Sequence, residues 1–262
     1  MRIKMQKRFS LLIVFLLLLL TLCACQKSAS VTESDFSAAS GLNSAQENTE
    51  VFVSEMEAPI LRYLGQASIR ITTPEGKTIY VDPYAGEPDD YNLAADLILV
   101  THDHFDHNAV EKVTYRSEEC QIITHREAIQ DGQHILFELG YVTVQPVEAG
   151  YNSLHDVSDC VGYVLTFSNG KSVYISGDTS KTEQMAQMAE MDIDYAFYCC
   201  DGVYNMGMEE AAECAELVGA KHNIPYHNTT SNTGKMFDLE LAEQFDPPNR
   251  LIIPAGEEIL VE

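Results

Sequence analysis

One segment constrains this chain more than any other, because an apolar run at 97–100 leads into a dense group of histidines and aspartates at 102–107. These six residues contain three histidines and two aspartates, a density that core packing does not require. Imidazole is the commonest neutral metal ligand in proteins, and a carboxylate adds a negatively charged donor. The alternation His102-Asp103-His104 turns both imidazoles to one side of an extended loop, and Asp106 and His107 follow as the loop turns. The sequence therefore predicts a metal site where a buried strand ends.

Strand-like segments dominate the chain after residue 50, and helical patterns begin only in its second half. Pro74-Glu75-Gly76-Lys77 and Ser168-Asn169-Gly170-Lys171 each place a hairpin turn between two strands. Hairpins followed by alternating strands and helices predict sheets packed face to face, with helices covering the outside. The predicted strands are 68–73, 78–82, 96–100, 121–124, 141–147, 161–167, 172–176, 194–199 and 250–253, and the predicted helices are 182–191, 208–218 and 238–245.

The pattern HxHxDH after an apolar strand resembles the signature of the metallo-β-lactamase fold. Further segments of that family recur here in the family's order, and the resemblance covers residues 58–260. It is similar in particular to the branch that includes the L-ascorbate-6-phosphate lactonase. The resemblance implies an α/β fold, an α+β sandwich with αββα layers in which two packed β-sheets are flanked by helices. The recurring segments are Asp82-Pro83-Tyr84, Gly162-Tyr163-Val164, Ser176-Gly177-Asp178-Thr179 and Ile224-Pro225-Tyr226-His227.

The resemblance also implies a pair of divalent metal ions, with zinc expected first and manganese or iron also suited to histidine and carboxylate ligands. Asp106 would have a catalytic role as well, because it would orient the nucleophile while holding an ion. The implied ligands are His102 and His104 for the first ion, Asp106, His107 and His227 for the second, and Asp178 as a bridge between the two.

The first ion needs one more protein ligand from the loop before the strand at 161–167. His155 is the favoured candidate, because it is the only histidine in that loop and imidazole suits these metals better than a neutral amide. Asn152 stands where a related branch has its histidine, so it remains an alternative ligand or a substrate contact.

The chain departs from the family pattern at one position near its first predicted strand. Many relatives have a histidine where Gln66 stands in Gly65-Gln66-Ala67-Ser68. An amide can act neither as a base nor as a cation, so the usual handling of substrate at that position is in doubt. The remaining histidines, His125, His134 and His222, match no motif and are expected to have structural or surface roles.

The N-terminus resembles a bacterial lipoprotein signal. Four basic residues precede an unbroken apolar run at 11–20. This run is too short for a transmembrane helix, which needs about 20 apolar residues. Ala24 and Cys25 then fit the cleavage site of a lipobox better than Cys23, which follows the bulky Leu22. The sequence predicts a signal peptide at 1–24, a flexible polar tether at 25–52 and one domain at 53–262. The lipid on Cys25 would anchor the protein to the outer face of the bacterial cytoplasmic membrane.

The charge of the chain limits the class of partner. The formal net charge is −24, and removal of residues 1–24, which contain basic residues and no acid, would make the remainder more acidic still. Such a surface repels phosphate backbones and anionic headgroups. We therefore expect a small-molecule substrate, no nucleic acid and no membrane contact other than the lipid.

The favoured function is that of a metal-dependent hydrolase. A hydroxide that bridges two metal ions would attack an ester, a lactone or a phosphodiester of a small molecule. The alternative, from a different class, is a non-catalytic lipoprotein of the same fold that binds a metal or a ligand. An iron-dependent oxidoreductase of this fold would be expected to carry a flavodoxin-like segment, which this sequence does not contain.

Overall fold

The computed structural model describes residues 57–262, which form two six-stranded β-sheets and one two-stranded sheet. The predicted signal peptide, the tether, Cys25 and the first residues of the predicted domain lie outside the described residues. Among the described residues, no helix has both the length and the apolar character needed to cross a bilayer.

The strands are short and run through the whole described chain. In chain order they are β1 (Ile60–Gly65), β2 (Ser68–Thr72), β3 (Thr78–Val81), β4 (Ala95–Leu99), β5 (Arg116–Ile123), β6 (Ile129–Gln130), β7 (Gln133–His134), β8 (Phe137–Glu138), β9 (Val142–Glu148), β10 (Val161–Phe167), β11 (Ser172–Ile175), β12 (Tyr195–Cys199), β13 (His222–Tyr226) and β14 (Glu258–Leu260).

Each large sheet combines antiparallel hairpins with parallel strands. The first sheet has the order β14-β1-β2-β3-β4-β5, antiparallel from β14 to β3 and parallel from β3 to β5. The second has the order β13-β12-β11-β10-β9-β8, antiparallel from β8 to β11 and parallel from β11 to β13. The predicted hairpins β2–β3 and β10–β11 are both confirmed.

The main core lies between the two sheets. Alternate residues of β4 face opposite sides, so Leu97 and Leu99 belong to this core while Ile98 belongs to a second cluster on the outer face of the first sheet. Tyr63 of the first sheet meets Phe197 of the second, with ring centroids 6.4 Å apart. Full burial of a large apolar side chain stabilises the fold by about 1.5–3 kcal/mol. The face-to-face packing predicted from the sequence is confirmed.

The outer layers are thin. The α-helices are α1 (His125–Ala128), α2 (Met208–Val218) and α3 (Leu239–Ala242). The longest, α2, buries Ala211, Cys214, Ala215 and Val218, which the helical repeat brings onto one face. It ends at Gly219, whose φ of 69° is the left-handed conformation that glycine adopts most easily at a helix C-terminus. The predicted sandwich of two sheets flanked by helices is thus correct, with 3₁₀ turns supplying part of the covering layer.

Two sequence predictions of secondary structure are wrong. The predicted helix at 182–191 consists of two 3₁₀ turns, Gln184–Ala186 and Met188–Met191. Its buried side chains, Met185 and Met188, are three residues apart, which suits the repeat of a 3₁₀ turn. The predicted strand at 250–253 forms only an isolated bridge between Arg250 and Asn223. Prolines on both sides of this segment cannot donate to a longer ladder.

The parallel strands bring polar residues to one edge of the sandwich. In the first sheet Asp82 follows β3 and the histidine segment follows β4. In the second sheet Asp178 follows β11, Asp201 follows β12 and His227 follows β13. The carboxyl ends of parallel strands share an edge, which is where ligands bind in mixed sheets. Gly177, with φ of 62°, permits the close approach there, because a Cβ at this position would lie 2.8 Å from the carbonyl oxygen of Val161.

Candidate metal centre

The predicted ligands from four separate parts of the chain come together in one cluster. Candidate ligand atoms within each of three groups lie within 4.8 Å of one another. Two of these groups match the two ligand sets implied by the sequence, and the third joins them. The groups are His102, His104 and His155, then Asp106, His107 and His227, and finally His102, His107 and Asp178.

The first group is made of imidazoles only. Nδ1 of His104 lies 3.2 Å from Nε2 of His155. The rings of His102 and His104 are 4.5 Å apart by centroid and nearly perpendicular, and those of His102 and His155 are 5.1 Å apart. His102 and His155 are buried, whereas His104 is exposed on one side. The three rings converge on one point from different directions.

The second group combines two imidazoles with a carboxylate. The rings of His107 and His227 stack at 5.3 Å. Nε2 of His227 lies 3.8 Å from Oδ2 of Asp106. His227 has a φ of 44°, an unusual value for a residue other than glycine, and its N–H donates to the carbonyl oxygen of Gln66 at 3.0 Å. The strained backbone is thereby tied to the first sheet.

Asp178 lies between the two groups. Its Oδ1 is 3.3 Å from Nε2 of His107 and 3.5 Å from Nε2 of His227. Its Oδ2 is 3.3 Å from Nε2 of His155. One carboxylate thus faces both ligand sets with different oxygens, which is the position that the sequence assigns to a bridging ligand.

Several buried atoms of the cluster have no hydrogen-bond partner among the described residues. They are Nε2 of His102, Nε2 of His107 and Oδ1 of Asp178. Leaving a buried polar group unsatisfied costs about 1–3 kcal/mol, more for a charged group. A cation bound at this point would satisfy all of these atoms at once. The cluster therefore fits a metal ion, and it is able to bind metals.

Two imidazoles of the first group, His102 and His104, favour the neutral form. Burial lowers the pKa of His102 well below its usual value, and the neighbouring His107 adds to the effect. Burial, followed by the neighbouring His155, also lowers the pKa of His104. Both rings therefore keep a free lone pair at neutral pH, which is the form of histidine that binds metals.

The carboxylates around His107 favour positive charge at the junction of the two groups. Burial alone would lower the pKa of His107, but Asp178 and Asp82 outweigh burial and raise that pKa well above its usual value. Burial alone would raise the pKa of Asp178, but His227 and His107 outweigh it and lower that pKa well below its usual value. The junction is therefore suited to a cation.

A buried carboxylate that the sequence did not identify as part of the site supports the ligands from behind. Oδ2 of Asp82 accepts a hydrogen bond from Nδ1 of His107 at 2.8 Å. The two oxygens of Asp82 also accept from the N–H and the hydroxyl of Thr101, both at 2.7 Å. The sequence placed Asp82 in a recurring segment, and the signal of its role is a carboxylate directly after a fully buried strand.

Asn152 lies behind His155. Oδ1 of Asn152 accepts from the backbone N–H of His155 at 3.0 Å and lies 3.1 Å from Nδ1 of the same ring. It therefore faces the ring nitrogen that points away from the cluster, while Nε2 of His155 points toward it. Of the two alternatives, the structure brings His155 into the cluster and makes Asn152 its support.

Gln66 contacts the second group directly. Its amide nitrogen donates to Oδ2 of Asp106 at 3.2 Å and lies 3.2 Å from Nε2 of His227. The side chain is fully buried, and its φ of 49° places it in a tight turn after β1. The sequence identified Gln66 as a departure from the family pattern but did not predict its contacts with Asp106 and His227.

Tyr226 and the three histidines that match no motif are not among the candidate ligands of the cluster. Tyr226 is fully buried and packs edge-on against Phe197, so it is a core residue. His222 stacks on Tyr195 with ring centroids 4.5 Å apart. His134 is half-buried in β7, and His125 is buried at the start of α1.

A cavity of about 290 Å³ opens onto the cluster. It combines polar ligand side chains on its floor with apolar side chains on its wall. Its lining residues are His104, Phe105, Asp106, Leu154, His155, Asp178, Tyr204, His227 and Ser231. Small-molecule sites in proteins are typically about 300–1,000 Å³ and combine apolar walls with few polar groups.

Comparison with known proteins identifies the family of this chain. A model of the beta-lactamase superfamily domain matches residues 60–227, a range that includes every predicted ligand. A UPF0173 metal-dependent hydrolase from Chloroflexus aurantiacus is 33% identical over 199 residues, covering 64% of this chain and 81% of that protein. Another from Thermodesulfovibrio yellowstonii is 26% identical over 253 residues, covering 80% of this chain and 95% of that protein.

Solved structures show the same fold. A metallo hydrolase from Ignicoccus hospitalis has a TM-score of 0.58 at 20% identity, covering 78% of this chain and 99% of its own. The metallo-beta-lactamase fold protein YhfI from Bacillus subtilis also has a TM-score of 0.58, at 14% identity, covering 77% of this chain and 99% of its own. At such low identity these two structures show only that the fold is shared.

Proposed function

The chain belongs to the beta-lactamase superfamily and, within it, to the UPF0173 metal-dependent hydrolases, and from this premise we propose a hydrolase with two metal ions that cleaves an ester, a lactone or a phosphodiester of a small molecule. One observation carries the proposal: two groups of three ligands share a single buried carboxylate, Asp178, which turns one oxygen to each. A site for one ion would not need this second set.

The ligand assignment of the proposal follows the geometry of the cluster. His102, His104 and His155 would hold the first ion, and Asp106, His107 and His227 would hold the second, with Asp178 between the two groups. Zinc is the first expectation because of the number of imidazoles, and manganese or iron would also suit these ligands.

When bound, a pair of divalent ions acidifies water, polarises the scissile group and stabilises negative charge that develops on it. The chain itself contributes position and proton handling. Asp106 lines the cavity and is the ligand carboxylate nearest to solvent, so it orients the attacking water. Gln66 donates to Oδ2 of Asp106 at 3.2 Å and so helps to fix the orientation of this carboxylate.

Metal analysis combined with a substrate screen tests the proposal. The purified protein is expected to contain two equivalents of metal and to hydrolyse at least one member of a panel of lactones, esters and phosphodiesters. The variant His104→Ala removes one imidazole from the first group and should lose activity by at least two orders of magnitude, as expected for a broken metal site. A wild-type protein that holds two ions yet matches the variant on every substrate would instead be a non-catalytic metal-binding protein.

The proposal extends to the location of the protein. A signal peptide at 1–24, a lipid on Cys25 and a polar tether at 25–52 would hold the domain at the outer face of the cytoplasmic membrane. The acidic chain would act on small molecules there rather than on nucleic acid. Replacement Cys25→Ser should move the protein from the membrane to the soluble fraction and abolish labelling by a fatty acid, whereas Cys120→Ser should change neither.

A further inference from the structure

The outer wall of the metal cavity is formed by exposed apolar side chains. Phe105 is 68% exposed and Leu154 is 52% exposed, although each directly precedes a ligand of the cluster in the chain. Tyr204, at 40% exposure, completes the wall. Large apolar side chains that stand together at a concave site are characteristic of ligand-binding surfaces. They are not needed for the core, because each lies outside both buried clusters.

These side chains are held in place by the same elements that hold the ligands. The ring of Phe105 packs edge-on against Tyr84 at 5.8 Å. The loop that carries Tyr204 is fixed by Asp201, whose Oδ1 accepts from the N–H groups of Val203 and Tyr204 at 2.8 and 2.7 Å. The wall is therefore a built surface with a fixed relation to the cluster.

Among the described residues, none that lines the cavity is lysine or arginine. The neighbouring cavity on the other side of the histidine loop contains Arg126, but this guanidinium is paired with both oxygens of Asp103. Metal ions would bind the reacting group of a substrate. A negative charge on another part of the substrate would lie against the apolar wall and would be repelled by a chain with a formal charge of −24.

We propose that the substrates are uncharged esters or lactones whose apolar part lies against Phe105, Leu154 and Tyr204; this substrate class rests on the proposed hydrolase function. Water adds to the acyl carbon and the acyl–oxygen bond breaks. One proton of the water passes to the leaving oxygen, and the carboxylic acid that forms releases the other to solvent. The hydroxyls of Ser231 and Tyr204 are uncharged polar groups in the cavity lining that can bind the ester or lactone oxygens.

A matched pair of esters tests the inference on the full chain with its metals bound. p-Nitrophenyl hexanoate and mono-p-nitrophenyl adipate have the same leaving group and chain length, but only the adipate carries a distal carboxylate. We expect kcat/KM for the hexanoate to be at least about tenfold higher, since desolvating an unpaired charge costs far more than one such factor. Equal values, or a preference for the adipate, would overturn the inference while leaving the hydrolase function intact.

Variants of the wall add a second measurement. Leu154→Ala should lower kcat/KM for the hexanoate by roughly tenfold, the effect expected from lost apolar contact in a substrate pocket. Leu154→Lys should reverse the preference toward the adipate, because it supplies the missing cation. Leu239→Ala is the matched control, since Leu239 is 50% exposed and does not line the cavity. Metal content is measured in every variant, so that a damaged site is distinguished from an altered wall.

The failure of the proposed function has a different signature. If neither ester is cleaved, the proposed hydrolysis of esters is wrong. Binding of two uncleavable analogues is then measured by ligand-observed NMR: the amide of hexanoic acid, which is neutral, and the monoamide of adipic acid, which keeps the distal carboxylate. Preferential binding of the neutral amide that is lost in Leu154→Ala would support the apolar site without turnover. Equal binding of both amides, or binding that Leu154→Ala leaves unchanged, would overturn it.

Discussion

Nδ1 of His107 lies 2.8 Å from Oδ2 of Asp82, and both side chains are completely inaccessible to solvent. This contact fixes the tautomer of His107, because a carboxylate can only accept and Nδ1 must therefore carry the proton. Nε2 of the same ring is then free to bind a metal and points toward Asp178 at 3.3 Å. A carboxylate behind a metal-binding imidazole orients the ring and increases its basicity.

Replacement Asp82→Asn should lower the affinity of the second group for metal by about 10–100-fold, the usual effect of losing such a support. The reason is that an amide can offer its nitrogen to the ring and so favour the wrong tautomer. Competition with a chromophoric chelator measures the affinity for each equivalent of metal. Asp96→Asn is the control, because Asp96 accepts from Thr78 and Lys77 at the far end of β4. Equal affinities in the two variants would contradict the assigned role of Asp82.

Replacement of Gln66 should weaken binding at the proposed second metal site more than binding at the first. Gln66→Met keeps the length of the side chain but removes the amide that donates to Asp106. The affinity for the second equivalent of metal should fall by about tenfold, while that for the first stays within a factor of about two. Titration of the metal-free protein with zinc, followed by calorimetry, separates the two equivalents. The exposed Gln145→Met on β9 serves as the control. A uniform loss at both equivalents would mean that Gln66 acts through the fold alone.

Asp194 should contribute stability that depends on pH. It is buried at the start of β12 and accepts from the N–H of Ser172 at 2.9 Å and from Lys221 at 3.1 Å. Burial alone would raise the pKa of Asp194, but its hydrogen bonds to Lys221 and Ser172 outweigh burial and lower that pKa. A carboxyl with a lowered folded pKa stabilises the protein above its unfolded value of about 3.9 and loses that contribution as pH falls through the folded value.

Asp194→Asn should therefore lower the free energy of unfolding by about 1–3 kcal/mol at pH 7. The difference from wild type should shrink as the pH falls below about 4. Denaturation by urea at several pH values measures both effects. Asp192→Asn is a matched control, since Asp192 pairs with the same Lys221 but is 84% exposed, so its loss should cost less than about 0.5 kcal/mol. If the difference in the free energy of unfolding between wild type and Asp194→Asn did not change with pH, the lowered pKa of Asp194 would not be the cause of that difference.

Gly162 should tolerate no side chain. A Cβ at this position in β10 would lie 2.9 Å from the carbonyl oxygens of Ile175 and Ser176, which are backbone atoms that cannot move aside. Gly162→Ala should therefore destabilise the fold by about 1–3 kcal/mol, the usual cost of overpacking. Thermal unfolding measures the change. Gly207→Ser is the contrasting variant, because a Cβ there meets nothing within 4 Å and serine caps the helix α2. Equal destabilisation in both variants would refute the steric explanation.

The residues alone predicted the ligands whose signal is local, and the family resemblance added the distant ligands His155, Asp178 and His227. His102, His104, Asp106 and His107 stand within six residues after an apolar strand, so their convergence needs only one loop. The hairpins β2–β3 and β10–β11 were predictable for the same reason, because their turn residues adjoin the strands they join. Strands β3 and β11 are buried at every residue, so an alternation of apolar and polar residues could not show which of their faces meets the other sheet.

The supporting contacts could not be predicted because they join distant residues. Asp82 and His107 are 25 residues apart, Gln66 and Asp106 are 40 apart, and Gln66 and His227 are 161 apart. Only the packing of the two sheets brings such pairs together. The error at 182–191 has a different cause: the composition favours a helix there, but the segment is short and is followed by Asp192 in the left-handed conformation, with φ of 48°.

The cluster lies across the seam between the two sheets, with ligands after β4 on one side and after β11 and β13 on the other. An unfolded chain could present only the local histidine segment to an ion, so nearly all the affinity arises when the two halves close. Each ion present at a hundredfold excess over its dissociation constant would then add about 2.7 kcal/mol to the stability of the closed form. Metal starvation would accordingly make this protein more accessible to proteases, and its abundance would fall with the supply of metal ions.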